Sequence, residues 1–307
     1  ALDMLWGFLV RRFHRLPGLS VAGWAGLFSA FCGAACVSLL GLLMVRVGYL
    51  IRNEPGPDSF VREARARRIS GLVAGLYLAC CIPFWVASTR SLPGSFHLLM
   101  LLSTAWAFSQ YQLWGRRRHL ALLGFLYGAG LAEFATFLVF LPLAIFLTAR
   151  EMFRWRDLRI WRAQLLVLGG LALGLSLYVA SALLLYRQAA PLELFASRGQ
   201  AWAQILQEQL SLIVQVRYSA GFPVVMFFSL APWLTLFTMS RRSPWFYEWG
   251  QVTVRLIFVG GLAGVLYNAS FAPWHLLGMG YLMLTPYVLL AICMGYMAGE
   301  FWILGEA

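Results

Sequence analysis

The feature that most constrains this chain is the recurrence of apolar stretches, each roughly twenty residues long, from one end to the other. A helix crossing ~30 Å of hydrocarbon at ~1.5 Å per residue needs about that length. Lipid offers no water to satisfy backbone N–H and C=O groups, so long apolar runs imply helices. Of the 307 residues, 61% are hydrophobic and only 12% charged, and the mean hydropathy is +0.74. A soluble domain would be about a quarter charged. No stretch is long and polar enough to make a separate soluble domain. The expectation is an all-α, polytopic transmembrane helix bundle forming a single membrane domain over residues 1–307.

Nine membrane segments are predicted: Val21–Val45, Ser70–Ser88, Ser95–Trp114, Leu120–Leu131, Phe134–Thr148, Ala163–Tyr186, Ala220–Ser240, Val252–Ala269 and Leu276–Gly299. The fourth and fifth are short, and Leu120–Thr148 can also be read as one long tilted helix. Arginine decides between the two. All 24 basic residues are Arg. With a hairpin turning at Ala132 and Glu133, one side collects Arg52, Arg62, Arg65, Arg67, Arg68, Arg116–Arg118, Arg150, Arg154, Arg156, Arg159, Arg162, Arg241 and Arg242, fifteen in all. The other side holds seven, Arg11, Arg12, Arg15, Arg90, Arg187, Arg198 and Arg217, while Arg46 and Arg255 sit at span ends. A single long helix would split them evenly. The positive-inside bias therefore selects the hairpin and makes the Arg-rich side cytoplasmic. The same clustering accounts for the net charge of +12 without nucleic acid as a partner.

This topology puts residues 1–16 on the outer surface. Leu2, Leu5, Phe8, Leu9 and Phe13 share one stripe, with Trp6 beside them, which describes an interfacial amphipathic helix bound to membrane lipid. An outer start calls for an earlier span or signal, so the chain is expected to begin within a longer one. A second amphipathic stretch, Ala201–Val214, falls in the outer segment 187–219. Trp85, Trp114, Trp155, Trp161, Trp245, Trp249 and Trp274 mark borders as interface anchors. Glycine pairs four apart, at Gly124/Gly128, Gly170/Gly174, Gly260/Gly264 and Gly295/Gly299, allow close helix packing. Cys32, Cys36, Cys80, Cys81 and Cys293 all lie in apolar runs, where small buried packing residues are the simpler reading than a metal pair or disulfides.

No phosphate loop, zinc motif or nucleophile elbow is present, and nothing calls for a cofactor or metal. An outward-facing carboxylate base has only Asp3, Glu133, Glu193 and Glu208 to choose from. Glu133 sits in a tight turn between two short membrane segments, as a solvated turn residue or as a polar group in an outer cavity. Asp3 is either a catalytic acid or the N-terminal cap of its helix. Arg90 and Arg187 can bind a phosphate through paired N–H donors, or lipid headgroups in the same way; His97 and His275 join them as binding candidates on the same side.

At this level the chain resembles glycosyltransferase clan C enzymes, and more closely a bacterial branch related to transmembrane protein O-mannosyltransferases. The stretches that carry the resemblance run from Leu5-Trp6-Gly7 to Leu16-Pro17-Gly18, over Leu27 to Ala34, through Phe84-Trp85 with His97, and from Gly124-Phe125 to Leu141-Pro142. Ala272-Pro273-Trp274 and Thr285-Pro286-Tyr287 extend it more loosely. The resemblance implies a helical core over residues 21–148, with the short hairpin at 120–148 and the remaining spans in 163–299. It implies either transfer of a sugar from a polyprenyl-phosphate donor to a protein or glycan acceptor on the outer face of a bacterial inner membrane, or an inactive relative of such an enzyme. Three positions depart from the family's pattern. Leu92 stands where a Glu is usual before the His, and Glu133-Phe134 replaces an Asn-His pair. The family's catalytic base belongs to a loop upstream of the amphipathic helix, hence before Ala1, leaving Asp3 as the base within this sequence. The competing reading is a non-catalytic membrane protein, either a scaffold or a lipid or solute transporter.

Overall fold

The structure, a computed structural model, describes residues 4–13, 20–49, 59–133, 136–157, 160–189, 198–217, 259 and 284–305. Among the described residues the regular elements are helices, with no strand. In chain order the helices are α1 (Met4–Phe13), α2 (Val21–Met44), α3 (Ser59–Cys80), α4 (Ile82–Thr89), α5 (Gly94–Trp114), α6 (Arg117–Glu133), α7 (Thr136–Arg154), α8 (Trp161–Ala189), α9 (Arg198–Arg217) and α10 (Thr285–Gly305).

The expected count of nine spans is not what the described residues give. Three helices are long and apolar enough to cross a membrane, namely Val21–Met44, Trp161–Leu184 and Tyr287–Gly305. A fourth is possible if the pair Phe60–Cys80 and Ile82–Thr89, bent by 69°, acts as one span. The physical reasons are local. α3 begins with Arg62, Arg65, Arg67 and Arg68 already in its helix, and α6 opens on Arg117 and Arg118 and has only 17 residues. α7 closes on Arg150, Glu151 and Arg154. The α3–α4 break falls at Cys81, two residues before Pro83, whose ring cannot donate to the carbonyl four residues back and clashes with it. Cys81 is accordingly extended, with φ −73° and ψ 118°. The expected segments Ala220–Ser240 and Val252–Ala269 lie outside the described residues, apart from position 259, as does the start of Leu276–Gly299.

The chain divides into two compact units. The first comprises Ala1–Ala25 and Ala107–Met226, the second Gly26–Trp106 and Phe227–Ala307. In the second unit, α2 and α3 meet at glycine, where a Cβ on Gly71 would come within 2.8 Å of the Gly41 carbonyl oxygen. α10 packs on α3 in the same manner, with Gly295 against the Ser70 carbonyl, and its Gly299 lies against the ring of Tyr49, which follows α2. Burial pushes the Tyr49 phenol up to about 12, so it stays protonated and donates to the Ala66 carbonyl at 3.1 Å. The cysteines are free; Cys32, Cys36 and Cys293 are buried as expected of packing residues, while Cys80 is exposed.

In the first unit, α6 lies along α8. A Cβ on Gly124 would strike the Val167 carbonyl, one on Gly128 the Leu171 carbonyl, one on Gly170 that of Ala121, and one on Gly174 that of Phe125. Two of the glycine pairs therefore face each other, and residue number rises together along both helices. α6 and α8 are parallel, so α7, lying between them in sequence, must run back. It does: Leu120 near the start of α6 and Met152 near the end of α7 share one buried cluster with Tyr111 and Ala163. As one straight helix those two residues would lie about 48 Å apart.

Candidate functional site

The α6–α7 hairpin has two ends of different chemistry. Its tip follows Glu133, the last residue of α6. That side chain is 2% exposed, and its two carboxylate oxygens each accept a backbone amide from α1: Leu5 N–H donates to Oε2 at 2.7 Å and Trp6 N–H to Oε1 at 2.9 Å. These are first-turn amides, which have no partner inside their own helix. A carboxylate there also meets the positive end of the α1 dipole. Glu133 thus does across 128 residues what a capping side chain does locally.

The rest of the tip is closed by tyrosines. Tyr127 Oη donates to the Phe137 carbonyl at 2.6 Å, with the two rings edge to face at 5.3 Å. Gly130 leaves room for the Phe137 ring, and Tyr178 Oη of α8 donates to the Leu131 carbonyl at 2.7 Å. α1 packs against α8. α1 buries Val10, whereas Phe8 of the expected apolar stripe is exposed beneath the Arg12 guanidinium at 5.6 Å.

The opposite end of the hairpin carries a polar network that sequence reasoning missed. Asp157, 4% exposed, accepts from Tyr111 Oη at 2.9 Å and from Arg117 Nε at 3.1 Å. Glu151, 2% exposed, accepts from Gln112 Nε2 at 3.4 Å and pairs with Arg154 at 3.4 Å. The link from α5 to α6 turns at Gly115, whose φ of +60° favours glycine, and the Trp155 ring lies directly against it. Every carboxylate in this network faces a cation or donor of the chain itself, an arrangement that closes a helix junction rather than one that offers a reactive group. In sequence, Glu151 and Asp157 were hidden among arginines read only for their topology.

The other expected site residues are placed as follows. Arg90 is exposed and ends α4, and His97 is buried in the first turns of α5, its amide bonded to the Pro93 carbonyl. Both belong to the second unit, whereas Glu133 and Arg187 belong to the first. Arg187 is exposed in the last turn of α8. It lies about 13 Å of helix beyond Tyr178, and so at the tip end of the hairpin. Asp3 and His275 lie outside the described residues. Two first-turn amides of α1 donate to Glu133.

Long apolar helices, glycine-packed pairs and a surface helix held by a buried carboxylate define an α-helical membrane protein. Residues 4–157, half of the chain, match the family described as Protein O-mannosyl-transferase TMEM260 N-terminal domain, and the chain belongs to that family. The match begins on the first residue of α1 and ends on Asp157, so it spans both ends of the hairpin. No curated protein matches the chain, and no solved structure does.

Proposed function

We propose that this chain is part of a membrane glycosyltransferase that moves a sugar, mannose by the family's description, from a polyprenyl-phosphate donor to a hydroxyl on a protein or glycan. The observation that carries the reading is the family membership, which covers α1, the hairpin and the links between them. In this reading the Arg-rich end is cytoplasmic, and the tip with α1 faces the outer side, where an amphipathic helix rests among lipid headgroups.

The chemistry asks little of a cofactor. The acceptor hydroxyl oxygen attacks the anomeric carbon as the bond from that carbon to the phosphate oxygen breaks. Its electron pair leaves with polyprenyl phosphate, and a carboxylate takes the hydroxyl proton. Asp3 is the acid this sequence offers for the base. Arg187, exposed at the end of α8 in the same unit, supplies a cation for the phosphate. His97 is buried, so the exposed Arg187 is the stronger contact.

The test is reconstitution of the protein in lipid nanodiscs with radiolabelled polyprenyl-phosphate mannose and a Ser/Thr-rich acceptor peptide. The donor should be retained on the protein, and wherever label passes to the peptide, Asp3→Asn should lower that transfer by ~10²–10⁴-fold while donor retention survives. A protein that neither retains the donor nor transfers from it would sink the reading and leave a scaffold or transporter.

A further inference from the structure

Glu133 occupies an awkward position for a carboxylate. It is the last residue of α6, at the negative end of that helix's own dipole, and only 2% exposed. Left to α6 alone, a buried charge there would be strongly disfavoured. Both oxygens are instead met by amides of α1, a helix of only ten residues whose isolated stability in water would be marginal. Each partner thus needs the other. The carboxylate gains two N–H donors and the positive end of a dipole, and the short helix gains a cap and a fixed point of attachment.

We propose that Glu133 is a positioning residue: it latches α1 to the hairpin tip and so holds α1 in place as one wall of the donor-binding site. The second half of this statement rests on the glycosyltransferase reading; the latch itself does not. Glu133 acts through α1 rather than on the sugar. Both its oxygens already point at backbone amides, which separates its part from the proton transfer assigned above to Asp3. Side-chain length matters, because a carboxylate at the end of α6 must reach two consecutive amides at 2.7 and 2.9 Å. Gln keeps one accepting oxygen but turns N–H groups toward the second amide, so it should restore half the latch.

Amide hydrogen exchange measures the latch directly. First-turn amides of a helix lack helical partners and exchange fast unless something else bonds them. In the nanodisc-embedded protein the Leu5 and Trp6 amides should be protected. Glu133→Ala should speed their exchange at least tenfold, and Glu133→Gln should give an intermediate rate. The control is Tyr127→Phe, which removes another tip hydrogen bond without touching α1 and should leave those amides protected. With polyprenyl-phosphate mannose, Glu133→Ala should weaken donor binding about tenfold and Glu133→Gln less, while Tyr127→Phe binds as the unaltered protein does. Unchanged exchange in Glu133→Ala overturns the latch. Faster exchange with unchanged donor binding overturns the assignment of α1 as a wall. An unaltered protein that binds no donor marks failure of the glycosyltransferase reading, and the exchange data then decide the latch alone.

Discussion

The two ends of the α6–α7 hairpin bury carboxylates in opposite ways. At the base, Asp157 and Glu151 bind side chains, among them two arginines that are 44% and 42% exposed. At the tip, Glu133 accepts from two backbone amides of a separate helix. Side-chain partners can rehydrate or shift when one is lost. Backbone partners are fixed to their helix, so losing the acceptor releases the helix itself. The base is therefore built to close a junction, and the tip to hold a separate short helix in register. Between them the α6–α8 glycine contact keeps both ends in place.

The largest effect should come from that middle, because damage there would erase the difference between the ends. A leucine at Gly174 would drive its Cβ into the Phe125 carbonyl and to 2.5 Å from the Ala129 nitrogen, both backbone atoms that cannot yield without moving a helix. Gly174→Leu should cost about 3 kcal/mol or more and abolish a monodisperse peak in detergent chromatography. The same substitution at Gly169, which has nothing within 4 Å of a built Cβ, should be silent. Equal yields from the two would show that the helices do not touch through glycine.

Next comes the base. Tyr111 is fully buried, and its hydroxyl donates to Asp157. Asp157→Ala would strand that hydroxyl at a cost of about 1–3 kcal/mol. Arg117, already half in water, would lose less. Tyr111→Phe removes the stranded group, so the double variant should be more stable than the sum of the two single losses implies, by about 1 kcal/mol in a thermal or denaturant cycle. Strict additivity would mean the hydrogen bond is not a shared element of the base, and the contrast with the tip would lose half its ground.

Several parts of this arrangement were legible in the sequence, and each rested on a repeating pattern. The α1 stripe follows from helical periodicity, and the glycine pairs announce close contact. Arginine placement argued for a turn near Glu133, and α6 does end there. Pattern could not say which glycine pair meets which, because that depends on helix direction. The partners of Glu133 were beyond reach for a sharper reason: they are main-chain amides of Leu5 and Trp6, and no residue type signals an unsatisfied amide. Among the described residues the span count departs from expectation where polar and apolar residues share one helix. α3 starts eleven residues ahead of the expected Ser70, carrying its arginines inside the helix, and Pro83 breaks what hydropathy averages into one segment.

The smallest expected effect sharpens the comparison most finely. Glu151 is 3% exposed by side chain, and removing a partner from a buried charge can cost about 3–5 kcal/mol. Against that, Arg154 is 42% exposed and its contact is long, 3.4 Å, between residues three apart on one helix. Such pairs contribute about 0.2–0.5 kcal/mol. Exposure wins, because water can enter the space the guanidinium leaves and Gln112 still donates to the other carboxylate oxygen. Arg154→Ala should therefore lower stability by no more than about 0.5 kcal/mol, with the loss shrinking further in 0.5 M salt as screening removes what remains. A loss of several kcal/mol, insensitive to salt, would show that water does not reach Glu151. The base would then hold its carboxylates as tightly as the tip holds Glu133, and exposure would no longer separate the two ends.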